Sequence, residues 1–405
     1  MPIIVQKYGG TSLAEPDQRE QVCRNVLRER RLKNDVVVVV SAMGRARDPY
    51  ATDTLISLAQ EENSLPAARE MDLLMACGEI ISGVVLTARL QAMGESAVFL
   101  TGMQAGITTN EQHGDARIIG VDTTMIQKSL KDGNIVVVAG FQGITEEGQI
   151  TTLGRGGSDV TASALGVALG AEVVDIYTDV EGIMTADPRI VENARILDFV
   201  TYNEICQLAH EGAKVIHPRA VEIAMEANVP LRIRSTFSDH PGTLVRSITE
   251  GFGRRVNIRR DQVITGVTQR PDITQFKVRT NQDAGMPLKI FKTLALADIS
   301  VDFITVNPEI VMFTVDRHQA RRAAELLETS GMEPLTEPDC AKVAIVGAAM
   351  TGIPGIMARV VEALSERSIP ILQSGDSYTN IWCLVRRQQM ELAVQALHDK
   401  FELGG

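Results

Sequence analysis

The sequence has few cysteines, few aromatic residues and a deficit of positive charge. Its five cysteines are scattered, with no CxxC pair and no companion histidine at zinc-finger spacing, so reduced and mostly buried thiols are predicted. Lys and Arg total 40 against 51 Asp and Glu, which gives a formal net charge of -11 at pH 7. A nucleic-acid partner is therefore not expected, because binding to a phosphate backbone needs a basic face.

Long apolar runs are also missing. None reaches the roughly 18 residues that a membrane-spanning helix needs, and the N-terminus lacks a signal-peptide pattern. The sequence therefore predicts a cytoplasmic protein that uses no membrane. The chain is instead rich in aliphatic residues: 405 residues with 44% hydrophobic content can bury substantial cores. Its length suggests two or three domains.

Near-continuous runs of β-branched residues recur along the first 246 residues. Helix-period segments such as GSDVTASALGVALG separate them, a pattern typical of strands buried on both faces of a parallel sheet. We therefore expect residues 1–246 to form an open αβα sandwich. Four runs end in glycine or serine turns, at the strand ends where open α/β sheets bind ligands. The turns read YGGTS, SAMG, AGFQG and TDVEG.

The rest of the chain differs in composition and in hydrophobic pattern. Residues 247–262 are polar and charged and are predicted to form a linker. Beyond them an internal repeat appears at an offset of about 70 residues, for example between IVMFTV at 310–315 and NIWCLV at 380–385. Each copy reads strand, glycine turn, helix, strand, strand, helix, which indicates two βαββαβ units over residues 263–335 and 336–405. Such a module, without concentrated catalytic residues, favours a role in regulation or oligomerisation.

Two lysines are candidates for holding phosphates. In VQKYGGTSL, Lys7 ends the first strand, and Gly9 and Gly10 let the following backbone amides approach an anion at a helix N-terminus. A tight turn with an exposed lysine is an equally good interpretation of this stretch alone. GAKVIHPRAVEIA supplies Lys214 as a second ammonium, whereas His217 is interpreted as structural.

The stretch TTLGRGGSD predicts an anion clamp. Arg155 can fork onto a carboxylate, Ser158 is a plausible N-cap, and Asp159 falls in the first helical turn, where it can hold lysine ammonium groups. The alternative is a solvent-exposed turn with a cap. Glu79 sits in an otherwise apolar helix pattern, where it is either a solvated side chain or an acceptor for an ammonium.

A third stretch, IYTDVEGIMTADPRIV, runs from a strand into a loop. Thr178 and Asp179 at the strand end could bind ribose hydroxyls, and the loop with Arg189 could cover a base. A surface loop explains the same residues equally well.

Together, KYGGTS, VVVVVSAMG, TGMQAG, TTLGRGGSD, YTDVEG and GAKVIHPRAVE, in this order, resemble the aspartokinases of the amino acid kinase family. The repeated C-terminal unit resembles the paired ACT domains of those enzymes, which have the ferredoxin-like fold. SAMGRARDPYATDTL, CGEIIS and ILQSGDSYTNIWCLV are similar to the diaminopimelate-sensitive branch found in spore-forming Gram-positive bacteria.

The resemblance implies ATP-dependent phosphorylation of the side-chain carboxylate of L-aspartate to 4-phospho-L-aspartate, which opens the route to diaminopimelate, lysine, threonine and methionine. It also implies Mg²⁺ carried mainly by the nucleotide phosphates, with no protein metal cluster. Lys7, Asp159 and Lys214 would be catalytic. The ATP site would comprise Lys7, Gly9, Gly10, Ser41, Ser158, Thr178, Asp179, Met184, Arg189 and Lys214. The aspartate pocket would comprise Ser41, Thr52, Glu79, Arg155, Gly156, Gly157 and Ser158.

The effector is not fixed by the resemblance. The loop that usually reads D-x-P-G is QDAG here, the usual Q-N pair is Val306-Asn307, and the second unit has QSGDSYTNI in place of S-T-S-E-I. Neither lysine nor threonine can be assumed, and diaminopimelate is the effector to test. Candidate effector residues are Gln282, Asp283, Gly285, Asn307, Gln373 and Ser374. A homodimer through the ACT units is expected by analogy.

Two other functions remain open from the residues. One is a kinase for another small carboxylate or carbamate, and the other is an inactive amino-acid sensor. Arg155 and Glu79 distinguish the first, because an amino acid needs both a carboxylate clamp and an ammonium acceptor. Lys7, Asp159, Arg155 and Lys214 speak against the second.

Overall fold

The computed structural model describes residues 1–213, 215–247, 263–348, 350 and 353–404. Lys214 and most of the predicted linker at 247–262 therefore lie outside the described residues. The chain divides into two compact units. The first comprises Met1–Ile183, Ile196–Ala209 and Lys214–Val256, and the second comprises Met184–Arg195, His210–Ala213 and Asn257–Gly405.

An eight-stranded sheet forms the centre of the first unit. All its described pairings are parallel except the one between Leu231–Ser235 and Thr243–Val245, which is antiparallel. This confirms the predicted mainly parallel sheet. In spatial order the strands are β10 (Phe199–Val200), β12 (Thr243–Val245), β11 (Leu231–Ser235), β9 (Val173–Thr178), β1 (Ile3–Tyr8), β2 (Asp35–Val40), β6 (Ile135–Ala139) and β3 (Ala97–Leu100).

Helices cover this sheet, because its central strands are apolar on both faces. Strand β2 is DVVVVV, and its five valines are fully buried. The helices of the first unit are α1 (Pro16–Arg31), α2 (Thr52–Glu62), α3 (Ala68–Ala92), α4 (Thr124–Lys131), α5 (Gly157–Leu169), α6 (Tyr202–His210) and α7 (Pro218–Glu226). A second sheet, in the order β5 (Ile118–Val121), β4 (Ile107–Thr109), β7 (Gln142–Ile144) and β8 (Ile150–Thr152), lies beside them.

Helix α3 is long and apolar enough to cross a membrane by length and composition alone, although the sequence suggested no such run. It is a weak candidate for a membrane span, because buried core helices can be equally long and apolar. The helix carries two buried carboxyl groups, Asp72 and Glu79, and Asp72 accepts hydrogen bonds from Thr152 and from the backbone N–H of Gly114. These polar contacts and its packing on β3, β6 and β8 are those of a core helix.

In its described residues, the second unit is built on a six-stranded antiparallel sheet and four α-helices. In spatial order its strands are β14 (Asp302–Val306), β15 (Ile310–Asp316), β13 (Gly266–Arg279), β16 (Pro334–Val346), β18 (Asn380–Arg386) and β17 (Gln373–Asp376). The helices are α8 (Met286–Leu296), α9 (Arg317–Thr329), α10 (Ile356–Glu366) and α11 (Met390–Lys400). The boundaries of α8 and α10, and those of β15 and β18, differ by the offset of 70 residues that the sequence repeat predicted.

The long strands β13 and β16 are shared by the two βαββαβ repeats. Residues 273–279 of β13 pair with β15. Residues 266–270 of β13 pair with residues 342–346 of β16. Residues 340–346 of β16 pair in turn with β18. Each long strand thus supplies the first strand of one repeat and the fourth strand of the other. The predicted boundary between residues 335 and 336 lies inside β16, and the domain limits remain predictions.

The second unit also holds two segments from the middle of the sequence. The ammonium of Lys342 on β16 lies 2.8 Å from Oε2 of Glu211, and both side chains are at most 10% exposed. Asp302 contributes a second carboxylate 3.3 Å from the same ammonium. From the other segment, Thr185 Oγ1 lies 3.0 Å from His398 Nε2. Residues 184–195 and 210–213 are therefore fixed by the repeats rather than by the eight-stranded sheet.

Candidate active site

A cavity of about 290 Å³ opens in the first unit at the carboxyl ends of β1, β2 and β6. Loops after parallel strands converge at this edge of an open α/β sheet, as the sequence pattern predicts. Polar groups of both signs share the cavity with small residues. The lining comprises Lys7, Gly10, Ser41, Ala42, Gly44, Arg45, Ala51, Thr52, Asp53, Glu79, Phe141, Gly154, Arg155, Gly156, Gly157, Ser158 and Asp159.

One side of the cavity carries an ion pair. The ammonium of Lys7, near the end of β1, lies 2.8 Å from Oδ1 of Asp159 in the first turn of α5. Both side chains are mostly buried, at 14% and 12% exposed. The backbone N–H of His217 donates to the other oxygen of Asp159 at 3.4 Å. Asp159 therefore fixes the position of a lysine that faces the cavity beside a helix N-terminus, where anions are favoured.

Gly10 brings the first two loops of the cavity into contact. A Cβ on Gly10 would lie 2.4 Å from the carbonyl oxygen of Ala42. The carbonyl oxygen of Gly10 accepts a hydrogen bond from Gly44 N–H at 3.0 Å. The sequence pattern predicts that this glycine frees backbone amides for an anion. The structure shows a further reason for glycine here, which is the close approach of the loop after β2.

Arg155 is a second charged group in the cavity lining. Its loop runs from Gly154 to Gly157, and Gly154 and Gly156 have φ of 71° and 72°, a conformation that favours glycine. Arg155 is exposed, and the described part of the chain gives it no hydrogen bond or ion pair. Arg155 lines the cavity from this glycine-rich loop. Thr52, at the start of α2, also lines the cavity.

Glu79 reaches the cavity from α3 and is only 2% exposed. Its Oε1 accepts a hydrogen bond from Ala42 N–H at 2.9 Å, whereas Oε2 is buried without a partner among the described residues. Burial raises the pKa of Glu79 to about 8, because desolvation disfavours the charged carboxylate, and the Ala42 hydrogen bond only partly offsets this. A buried acceptor without a partner is suited to receive a charged donor.

Several predicted nucleotide residues lie outside the lining. Thr178 Oγ1 donates to Asp179 Oδ1 at the end of β9, and Asp179 pairs at 3.2 Å with Arg45, which does line the cavity. Gly9 is not in the lining either. Met184 and Arg189 belong to the second unit, where Arg189 pairs with Asp187 and is 87% exposed. Conversely, Phe141, Ala51 and Asp53 line the cavity without having been predicted.

The predicted effector residues of the second unit have different surroundings. Asp283 Oδ1 accepts from Gly285 N–H at 2.8 Å, and Asn307 Oδ1 accepts from two backbone N–H groups, so both side chains cap turns. Gln282 and Ser374 are exposed. Gln373 on β17 is buried and donates to the carbonyl of Phe303 at 2.6 Å and to Thr305 Oγ1 at 2.9 Å. Gln373 thus ties β17 to β14, the strand at the other end of the sheet.

Comparison with known proteins gives the class. Residues 2–235 match the model of the amino acid kinase family, and residues 335–399 match an ACT domain. Aspartokinase 1 of Bacillus subtilis (strain 168) is 50% identical over 405 residues, which is 100% of each chain. The match to the amino acid kinase model covers more than half of the chain, so the protein belongs to the amino acid kinase family.

Two solved structures extend the comparison. Aspartokinase III of E. coli in complex with aspartate and ADP (R-state) superimposes with a TM-score of 0.77 at 26% identity, covering 98% of this chain and 99% of the other. The same enzyme in complex with lysine and aspartate (T-state) gives 0.75 at 25% identity, covering 98% and 99%. Within the family the chain is an aspartokinase: it transfers a phosphoryl group from ATP to aspartate and is regulated through its ACT domains. The resemblance inferred from the motifs is confirmed.

Proposed function

We propose that the cavity holds the transferring phosphoryl group at Lys7 and the aspartate substrate at Arg155 and Glu79. The observation that carries this proposal is that Lys7, Arg155 and Glu79 line the same cavity. Lys7 supplies positive charge and Asp159 fixes it, whereas Arg155 offers a fork for the α-carboxylate and Glu79 an acceptor for the α-ammonium. The side-chain carboxylate of aspartate would then attack the γ-phosphorus as ADP leaves.

Charge neutralisation and positioning are the main requirements of such a transfer, because the protein contributes little covalent chemistry. Lys214 is proposed as a second ammonium on the phosphates, and Gly9, Gly10, Ser41 and Ser158 as further contacts to ATP. For the remainder of the nucleotide we propose Thr178, Asp179, Met184 and Arg189. Thr52, Gly156 and Gly157 would complete the aspartate pocket.

Mg²⁺ is proposed to accompany the nucleotide. In the described ranges there is no group of three or more His, Cys, Asp or Glu side chains that could hold a metal ion by themselves. Asp159 and Asp53 are the cavity carboxylates available beside Glu79. This donor set fits Mg²⁺, which commonly keeps several waters and binds through one or two carboxylates plus substrate phosphates. The ion would neutralise charge that develops on the phosphate oxygens.

Glu79 makes aspartate binding pH-dependent. Ionised Glu79 is the form that binds an ammonium, and burial holds its pKa at about 8, so the ionised fraction falls as the pH drops below that value. We expect kcat/KM for aspartate to rise about tenfold per pH unit toward pH 8 and then to level off. Steady-state kinetics with aspartate varied at saturating ATP, from pH 6 to pH 9, measures this.

Two variants test the assignment to Glu79. Glu79→Gln keeps a neutral acceptor and should flatten the rise, with kcat/KM for aspartate lowered at pH 8. Asp72→Asn, which removes the other buried carboxyl group of α3 but lies outside the cavity lining, should retain the rise. A wild-type profile without any rise below pH 8, or an unchanged slope in Glu79→Gln, would remove Glu79 from aspartate binding.

Regulation by meso-diaminopimelate and a homodimer through the ACT domains are further proposals. The sequence QSGDSYTNI supports the first. For the second, β14 is an end strand of the sheet and exposes Ile304 and Val306, which a partner's sheet could cover. An effector can inhibit only if it binds one arrangement of the protein more tightly than another. A cytoplasmic location remains a prediction.

A coupled assay of ADP release tests the effector. With aspartate and ATP near their KM values, meso-diaminopimelate should inhibit, whereas lysine or threonine alone should have little effect. The same titrations on Ser374→Ala and Asn307→Ala, two exposed candidates in different repeats, locate the site. Inhibition by lysine alone would contradict the proposal, because lysine lacks the second amino-acid end of diaminopimelate.

A further inference from the structure

The loop that carries Arg155 is held from outside the cavity by the start of α7. Arg219, the second residue of α7, donates from Nη1 to the carbonyl of Leu153 and to Oδ1 of Asp115, both at 3.2 Å. Its Nη2 donates to the carbonyl of Ala116, also at 3.2 Å. Leu153 immediately precedes Gly154, and a Cβ on Gly154 would lie 2.8 Å from Asp115 Oδ1. One guanidinium thus fixes the entry to residues 154–157, which we name the clamp loop.

His217 holds the far end of the clamp loop. A Cβ on Gly156 would come within 2.5 Å of Cβ, Cγ and Cδ2 of His217, so the imidazole packs directly on the Gly156 backbone. The ring also accepts a hydrogen bond from Arg219 N–H through Nδ1 at 3.3 Å and so caps α7. His217 and Arg219 therefore act from one helix start on both ends of the same loop.

The clamp loop needs such support because of its composition. Three of its four residues are glycine, whose backbone is the least restricted, and Arg155 is exposed without a partner among the described residues. Nothing in the side chain of Arg155 fixes where its guanidinium lies. The clamp-loop backbone sets only where the Arg155 side chain starts, and His217 and Arg219 both contact this backbone.

We propose that Arg219, together with His217, is a positioning residue that sets the affinity for aspartate by fixing the clamp loop. The inference rests on the proposed role of Arg155 as the carboxylate clamp. Neither Arg219 nor His217 lines the cavity, so both act through the loop. A guanidinium is required because it offers donors in a rigid fork to three separate acceptors, a geometry that an ammonium does not reproduce.

The test is steady-state kinetics on Arg219→Ala and Arg219→Lys with aspartate and ATP varied separately. We expect Arg219→Ala to raise the KM for aspartate about tenfold or more, since misplacement of a binding group by about 1 Å has effects of this size. The KM for ATP should stay within about twofold of the wild-type value. Arg219→Lys should recover only part of the loss. Asp115→Asn, which weakens the same contact from its other side, should change the KM for aspartate in the same direction.

A double variant distinguishes positioning from a general structural role. If Arg219 acts through Arg155, then Arg219→Ala should raise the KM for aspartate no further in an Arg155→Ala background. Arg232→Ala is the matched control, because Arg232 makes a bidentate pair with buried Asp175 in the same unit without contacting the clamp loop. It should lower thermal stability without selectively raising the KM for aspartate.

The outcomes separate this inference from the proposed function. A raised KM for aspartate in Arg155→Ala with an unchanged KM in Arg219→Ala would overturn the positioning role alone. An unchanged KM in Arg155→Ala would overturn the clamp and the positioning role with it. Equal increases in the KM for aspartate and for ATP in Arg219→Ala, or an additive double variant, would also overturn the positioning role.

Discussion

Lys7→Ala is expected to lower kcat for aspartate-dependent ADP release by about a thousandfold or more while leaving the fold intact. The reason is electrostatic: a cation aimed at developing charge in a partly buried site contributes several kcal/mol to transition-state stabilisation, about 4 kcal/mol for a thousandfold effect. Lys7 is 14% exposed and is fixed by Asp159 at 2.8 Å. Alanine removes the charge and leaves the carboxylate of Asp159 beside the proposed phosphate position, which should add repulsion.

The measurement is a coupled assay at saturating aspartate and ATP, with circular dichroism to verify the fold. Lys128→Ala serves as a matched control, because Lys128 is an exposed lysine on α4 of the same unit. It should retain wild-type turnover. Undiminished turnover in a folded Lys7→Ala protein would remove Lys7 from the mechanism.

The second large effect is expected on stability. Lys342→Met should lower the free energy of unfolding of the full chain by about 3 kcal/mol or more, because removal of one partner leaves buried charge uncompensated. Glu211 is 10% exposed in its side chain and would lose its ammonium at 2.8 Å, and Asp302 would lose the same partner. Lys342 also lies over the rings of Phe303 and Trp382, so these contacts would change as well. Urea unfolding monitored by fluorescence and circular dichroism measures the change.

A paired variant separates charge from packing. Lys342→Met combined with Glu211→Gln removes both charges of the buried pair and should recover a large part of the lost stability. Lys400→Met is the surface control. The two carboxylates that pair with Lys400 are more exposed than Glu211, so loss of this ammonium should have little effect on the free energy of unfolding. A Lys342→Met protein as stable as the wild type would show that the pair contributes nothing net.

Local sequence patterns are sufficient to predict much of the fold. The valine run of β2 predicts a strand buried on both faces, and the structure has it at the centre of the parallel sheet. The offset of 70 residues predicts the match between α8 and α10, because a repeated apolar pattern imposes a repeated element. The glycines around Arg155 likewise predict a tight loop at a helix start, since residues with positive φ favour glycine.

Other features depend on contacts between residues far apart in sequence. The sharing of β13 and β16 follows from pairing across about 70 residues, which no local period encodes. The support of the clamp loop by Arg219 joins residues separated by 66 and 104 positions. Phe141 and Ala51 line the cavity because of where their loops end, and their residue types carry no chemical signal of binding. Their place in the lining is therefore not predictable from residue type.

The membership of residues 184–195 and 210–213 in the second unit has a consequence for dissecting this enzyme. The chain leaves the eight-stranded sheet twice before residue 214 and each time makes contacts with the C-terminal repeats, such as Glu211 with Lys342 and Gln395 with the carbonyl of Ile190. A polypeptide ending near residue 246 would retain every cavity residue described above. It would still lack the partners of two of its own internal segments, one of which leads directly into Lys214, so a single cut there also exposes surfaces that the full chain buries.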